Sequence, residues 1–244
     1  MEYDSISTSV RGEGIRLEDW EDELEGCECE EGCSTESRCS CLMGDEDNYS
    51  RDGKLLPSSV NRPLLECHSQ CACSLLPSCR NRLVQNGITK NLEVFRTSQK
   101  GFGVKTLESI EPMEFVCEYA GEIISENEVQ RRYQENEYED NYTLTIKEHC
   151  QDNIRKTFID PRNRGNIGRF LNHSCSPNCD IVIVRIGRII PTVGLFANRK
   201  IEVGEELTYD YGSSTLDDEK YRKICHCRSE NCRGFLPMSA TPIE

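Results

Sequence analysis

Long apolar runs are missing from these 244 residues: none reaches the roughly eighteen that a membrane-spanning helix needs. The opening MEYDSISTSVRGEGI also lacks the apolar core of a signal peptide, so the chain reads as an intracellular protein without a membrane contact. Positive charge is scarce too, with 29 Lys and Arg against 43 Asp and Glu and a net charge of −14. Neutralising a phosphate backbone takes a basic surface, and no basic recognition helix is visible, so sequence-specific DNA binding is not expected. The acidity suits a basic partner, or equally mere solubility. There is no internal repeat and no heptad. Residues 27–84 hold few large apolar side chains, so that stretch cannot build an ordinary core.

Cysteine fills the gap. Nine of the sixteen fall in two knots, Cys27, Cys29, Cys33, Cys39 and Cys41, then Cys67, Cys71, Cys73 and Cys79. Three tetrahedral zinc ions need twelve Zn–S bonds, which nine thiolates supply if six are terminal and three bridge two metals each. An odd count argues against a disulfide framework, and nothing points to an oxidising compartment. The segment between the knots, 42–63, is rich in Asp, Asn, Ser, Gly and Pro and reads as a connecting loop. Near the C-terminus, Cys225, Cys227 and Cys232 leave a tetrahedral site one ligand short, so the tail is expected to fold back onto the body.

Four segments follow. Residues 1–26 are an acidic tail or capping segment, with Glu18, Asp19, Glu21, Asp22, Glu23 and Glu25 forming a solvated run. Residues 27–84 form the cysteine cluster, 85–213 a catalytic domain and 214–244 a zinc-binding tail. The third is β-rich α+β: Leu92–Phe95, Phe115–Tyr119, Tyr142–Ile146, Thr157–Ile159, Ile181–Ile186 and Val193–Ala197 read as strands between turns. One helix is predicted at 125–137, where Ser125 and Glu128 form a capping-box pattern.

KGFG (100–103), EYAGE (118–122), RFLNHSC (169–175) and ELTYDYG (206–212) occur in the order and spacing of SET-domain protein lysine methyltransferases. The flanking cysteine patterns resemble the pre-SET and post-SET elements of the Suv39 clade. FVCEYAGE, EVQRR and NIGRFLNHSC look most like the methyltransferase half of a SET–transposase fusion. The resemblance implies a SET fold of small sheets with a threaded, pseudoknot-like C-terminal segment that brings 169–178 beside 206–212. It assigns Lys100, Gly101, Phe102, Gly103, Tyr142, Arg169, Asn172, His173 and Tyr211 to S-adenosylmethionine, the two glycines leaving room for close backbone approach. Tyr211 is the expected catalytic tyrosine, Tyr142 lines the cofactor and lysine channel, and Tyr209 stands at the position that sets methylation state. Cys175 becomes the fourth ligand of the C-terminal zinc, for four structural zinc ions in all, and Phe235 a candidate channel lid. Tyr119 and Phe115 are read as core, and Cys117, Cys150 and Cys179 as buried or half-buried thiols. Asn141 and Pro161 stand where relatives of the clade often have Ser and Ala.

The expected function is methylation of the histone H3 tail or nucleosome by a nuclear, chromosome-associated monomer. Lysine-9 is the first choice and mono- and dimethylation are favoured. Lysine-36, a non-histone substrate and an inactive SET scaffold are the alternatives. Intact Tyr142, Asn172, His173 and Tyr211 weigh against the scaffold.

Overall fold

Short alternating segments build small sheets here. The computed structural model describes residues 3–43, 46–60, 62–135, 142–150, 153–212 and 223–237. Two-residue strands β1 (Asp4–Ser5) and β2 (Val10–Arg11) precede helix α1 (Leu17–Glu21) and β3 (Leu64–Glu66). Then come β4 (Leu92–Arg96), β5 (Phe102–Thr106), β6 (Phe115–Glu118), β7 (Glu122–Ile124) and helix α2 (Glu126–Glu135). The hairpin β8 (Leu144–Cys150) and β9 (Asn153–Asp160) follows, with β10 (Arg164–Gly165), β11 (Asn172–His173), β12 (Cys179–Ile186), β13 (Thr192–Ala197) and β14 (Glu206–Tyr209) completing the set.

Three four-stranded sheets result, ordered β11-β14-β5-β4, β3-β12-β13-β6 and β2-β7-β9-β8, with β1 paired to β10. The first carries the functional motifs. In it β11 runs parallel to β14, setting Asn172 opposite Thr208 and His173 opposite Tyr209, while β12 and β13 belong to another sheet. The expected juxtaposition of 169–178 with 206–212 is thus present. Asn178 fastens it, its Nδ2 donating to the Glu206 carbonyl at 2.8 Å and its Oδ1 accepting the Thr208 amide at 2.8 Å.

Helix α2 starts as its sequence requires, with Ser125 Oγ accepting the Glu128 amide at 3.3 Å. Only half of a capping box forms. The Glu128 carboxylate turns instead to Arg131 (2.7 Å) and Arg132 (2.6 Å), and the Ser125 amide donates to the Glu13 carbonyl. Residues 136–137 of the expected helix, and Asn141, lie outside the described residues.

Of the two readings of the N-terminal segment, the capping one fits: β1 pairs with β10, β2 pairs with β7, and Arg188 sits 4.4 Å over the Trp20 ring. One other expectation needs correction. The segment between the cysteine knots is more than a connector, because Tyr49 and Leu55 are buried among Phe115, Val182, Val184 and Phe196. The Tyr49 hydroxyl donates to the buried Glu66 carboxylate at 2.7 Å, which also accepts the Leu83 and Val84 amides at 2.8 and 2.7 Å. Satisfying that carboxylate is the condition for burying it.

Candidate active site and metal centres

Four tyrosines meet where β11 and β14 pair. Tyr209 is buried, its ring 4.7 Å from that of Tyr211 and 6.0 Å, edge-on, from that of Tyr119. The Tyr211 hydroxyl donates to the Leu171 carbonyl at 2.8 Å, and its amide donates to His173 Nδ1 at 3.2 Å. Tyr119 reaches across to donate to the Tyr142 carbonyl at 2.5 Å. Burial pushes the Tyr209 hydroxyl well above its ordinary value, with neighbouring Tyr119 and Tyr211 adding to the shift. Tyr119 rises too, first through burial. Both therefore remain neutral hydroxyls, able to donate as well as accept. The surroundings are aromatic and the polar groups few.

The next wall belongs to Arg169, which is buried. Its guanidinium carbon lies 4.4 Å from the Tyr3 ring centroid, 4.6 Å from Tyr142 and 5.3 Å from Phe170. Its Nη1 donates to the Arg162 carbonyl at 3.2 Å, whereas its buried Nε has no hydrogen-bond partner among the described residues. A desolvated guanidinium with an unpaired donor is a fitting contact for a ligand.

Asn172 Nδ2 donates to the Phe102 carbonyl and to Glu206 Oε1, both at 2.9 Å, and Lys100 pairs with Glu206 Oε2 at 2.6 Å. These contacts tie KGFG to NHSC and to the start of ELTYDYG. The glycines serve differently from each other. Gly101 has φ +70, a conformation that favours glycine, whereas a Cβ on Gly103 would come within 2.8 Å of Glu206 Oε1 and 3.1 Å of Asn172 Nδ2. The room at Gly103 is thus claimed by the site's own side chains.

The tail folds back as expected. The sulfurs of Cys175, Cys225, Cys227 and Cys232 lie within 4.8 Å of one another. Arg233 locks this loop to the site: its Nη2 meets Asp210 at 2.6 Å and its amide points to Cys175 Sγ at 3.4 Å. His173 Nε2 is 3.3 Å from the same sulfur, and burial holds the imidazole below its ordinary pKa against the pull of Asp210. Phe235 pairs across the tail with Ile224 and is 44% exposed.

Among the described residues, the nine N-terminal thiols form one packed group with Leu42, Leu65 and Leu76 as aliphatic neighbours. Close sulfur pairs include Cys33–Cys73 at 3.3 Å and Cys27–Cys73 and Cys41–Cys71 at 3.7 Å, and the four-sulfur groupings lie within 4.8 Å. Tetrahedral Zn–S bonds of about 2.3 Å put sulfurs ~3.8 Å apart, so the donor set fits shared zinc coordination. Cys27, Cys33, Cys39, Cys67 and Cys73 each belong to more than one of the four-sulfur groupings, as sharing of thiolates between metals requires. Neighbouring S–H groups draw Cys79 down to about 4 and Cys41 to about 6, Cys67 being the main partner of each.

Every expected cofactor or catalytic residue falls within this one region. Tyr119 lies in the core as expected, and its hydroxyl also reaches the Tyr142 carbonyl. Sequence reasoning passed over Tyr3, Phe170, Glu206, Asp210 and Arg233; no local signal marks Tyr3. Cys117 and Cys179 are buried as expected. Cys150 is not: it is exposed, being the last residue of β8 beside the hairpin turn.

Comparison with known proteins agrees. Residues 101–212 match the SET domain and residues 2–82 the Pre-SET motif. A Caenorhabditis briggsae protein named "Probable histone-lysine N-methyltransferase set-23" is 58% identical over 100% of both chains. The crystal structure of the methyltransferase domain of human histone-lysine N-methyltransferase SETMAR superposes with a TM-score of 0.86 at 38% identity, covering 97% of this chain and 90% of that one. KRYPTONITE, solved with mCHH DNA, an H3(1-15) peptide and SAH, gives a TM-score of 0.78 at 29% identity over 96% of this chain and 47% of its own.

Proposed function

This chain belongs to the SET-domain family of histone-lysine N-methyltransferases, and we propose that it methylates lysine-9 of the histone H3 tail, yielding mainly mono- and dimethyl-lysine. The packing of Tyr119, Tyr209 and Tyr211 at the β11–β14 pair, with Tyr142 tied to Tyr119 through its carbonyl, supports this reading, because aromatic surroundings with a few hydroxyls suit an alkylamine. The choice of lysine is supported by KRYPTONITE's peptide, H3(1-15), which includes position 9 and stops short of 36. A net charge of −14 suits a basic tail, and chromatin in the nucleus is the corresponding location.

S-adenosylmethionine, when bound, supplies an electrophilic methyl group on a sulfonium. Lys100, Gly101, Phe102, Gly103, Tyr142, Arg169, Asn172, His173 and Tyr211 are the residues proposed to hold it. The tyrosines act on the other partner, the substrate amine. An ordinary lysine has pKa ~10.4, so presenting it neutral at pH 8 costs about 3 kcal/mol. Enclosure by aromatic rings disfavours the ammonium and offsets part of that cost. Tyr211, fixed through Leu171 and His173, is proposed to orient the amine, making positioning rather than base catalysis the main device. Zinc is proposed to be structural and fourfold, three ions on the nine N-terminal thiolates and one on Cys175, Cys225, Cys227 and Cys232. Sites saturated with thiolate have no position open for water.

Incubating the enzyme and cofactor with mixed core histones, then mapping methyl-lysines by mass spectrometry, tests the proposal. New methylation concentrated at H3 lysine-9 is expected. Labelling at lysine-36 would redirect the substrate assignment, and cofactor binding without any methylation would favour a scaffold.

A further inference from the structure

The N-terminal strap ends beside the active site, and we infer that Tyr3 is a positioning residue for cofactor binding, acting through the guanidinium of Arg169. This rests on the reading of Arg169 as a cofactor-binding residue. Three observations lead to it. First, the Tyr3 ring is the aromatic group nearest the Arg169 guanidinium carbon, at 4.4 Å, and packs edge-on to Phe170 at 5.8 Å; Phe170 in turn packs on Phe102 of KGFG at 6.0 Å. Second, the strap is registered on the turn that holds Arg169. The Asp4 amide donates to the Asn163 carbonyl at 2.8 Å and the Ile6 amide to the Gly165 carbonyl at 2.9 Å, while Arg169 Nη1 donates to the carbonyl of Arg162, the residue just before them.

Third, a separate latch fixes the same turn. The Ser9 amide and hydroxyl both donate to Glu118 Oε1 at 2.9 Å. The Glu118 carbonyl accepts Asn166 Nδ2 at 2.9 Å, and Asn166 Oδ1 accepts the Gly168 amide at 3.0 Å, capping the 3-10 turn that presents Arg169. The strap therefore touches the Arg169 guanidinium directly and, through Asn163, Gly165 and Glu118, the segments that position its turn. A buried guanidinium with an unpaired Nε has few hydrogen bonds to hold it, so the aromatic faces around it decide where it points. Without the Tyr3 ring, water reaches Arg169 and its stacking on Tyr142 loosens.

The test is a double-mutant cycle in the full chain, read by calorimetric titration of S-adenosylhomocysteine alongside zinc content and thermal midpoint. Tyr3→Leu should weaken binding about tenfold, in the range of a desolvated cation–π contact, with zinc content unchanged. Tyr3→Phe should stay within about twofold, since it keeps the ring. In an Arg169→Leu background, Tyr3→Leu should change binding by less than about twofold. In steady state the loss should fall on the KM for S-adenosylmethionine, with the KM for an H3 peptide unmoved. Equal effects of Tyr3→Leu in both backgrounds would overturn the inference, as would a Phe variant as weak as Leu, or parental affinity in Tyr3→Leu. Parental affinity in Arg169→Leu alone would instead sink the assignment of Arg169 to the cofactor.

Discussion

The two cysteine centres of this protein are built on opposite plans. The N-terminal nine are packed chiefly against one another, with three leucines for company, so that removing what holds them together leaves no apolar core behind. The C-terminal four, Cys225 buried and the others half-buried, lie against a body that already has its own core of Val104, Ile110, Val116, Leu195, Ile201 and Leu207. Their sulfurs join the tail to Cys175, two residues after His173. The first centre stands in place of a hydrophobic core; the second is a latch on an active site. The same chemistry of donors thus predicts two different consequences of losing the metal.

The largest effect should come from the nine-thiol centre. Cys67→Ser removes a sulfur common to several of the four-sulfur groupings. It is expected to release more than one zinc and to unfold residues 27–84, since metal-binding energy there is folding energy. Metal analysis together with hydrogen exchange reads this directly. A folded, three-zinc Cys67→Ser protein would break the comparison. Cys225→Ser should act more narrowly, releasing one zinc and lowering methyl transfer by about a hundredfold or more as Arg233 of the tail leaves Asp210 and His173. The thermal midpoint of the body should move by only a few degrees, because Cys225 adds nothing to the sheets.

How much of this contrast was legible beforehand follows from the kind of signal each part carries. Cysteine spacing announces both centres, since ligand number and geometry constrain sequence directly. The longer strands are visible as short β-like runs between turn residues, and helix α2 in its Ser125 cap. The pairing of Asn172 with Thr208 came through family resemblance, because parallel neighbours this far apart leave no local period. The strap was missed for a related reason: two residues per strand are too few for alternation, and DSISTSVR offers only Ile6 and Val10 as apolar side chains. Its order depends on partners such as Glu118 and Gly165 that only the fold brings near. Gly103 was legible as a place of close approach, although the approaching groups proved to be Glu206 and Asn172.

A smaller prediction sharpens the claim that the body stands without metal. Glu128 is buried between Arg131 and Arg132, whose hydrogen bonds and charge hold its carboxyl down at about 2 against burial. A depressed carboxylate contributes stability that is present above its ordinary pKa of about 4.5 and lost as pH falls toward 2. Glu128→Gln should therefore cost about 2–3 kcal/mol at pH 7 by urea unfolding, a difference that shrinks as pH drops below about 4.5. Acid also strips zinc from thiolates, but that occurs in parent and variant alike and cancels in the difference. A gap between the two that widened in acid would show that Glu128 is not the group being titrated.

The smallest expected change lies inside the channel and should leave both metal centres untouched. Tyr209 is packed between Tyr119 and Tyr211, and burial keeps its hydroxyl protonated. That hydroxyl can hold the substrate amine, or a water beside it, by a hydrogen bond. An amine so held resists the rotation that a methylated nitrogen needs before it can present its lone pair again. The bulk of a second methyl worsens the fit, so addition slows after dimethyl-lysine. Tyr209→Phe keeps the ring and its packing but removes the hydrogen bond, which releases the water and frees about the volume of one oxygen. Zinc content and thermal midpoint should stay as in the parent, and the first methyl transfer should change by less than about tenfold, the worth of one neutral hydrogen bond. The product distribution should move toward trimethyl-lysine. Mass spectrometry of an H3 peptide at long incubation reads the outcome. Efficient trimethylation by the parent enzyme, unaltered in Tyr209→Phe, would mean that channel volume elsewhere, and not this hydroxyl, sets the methylation state.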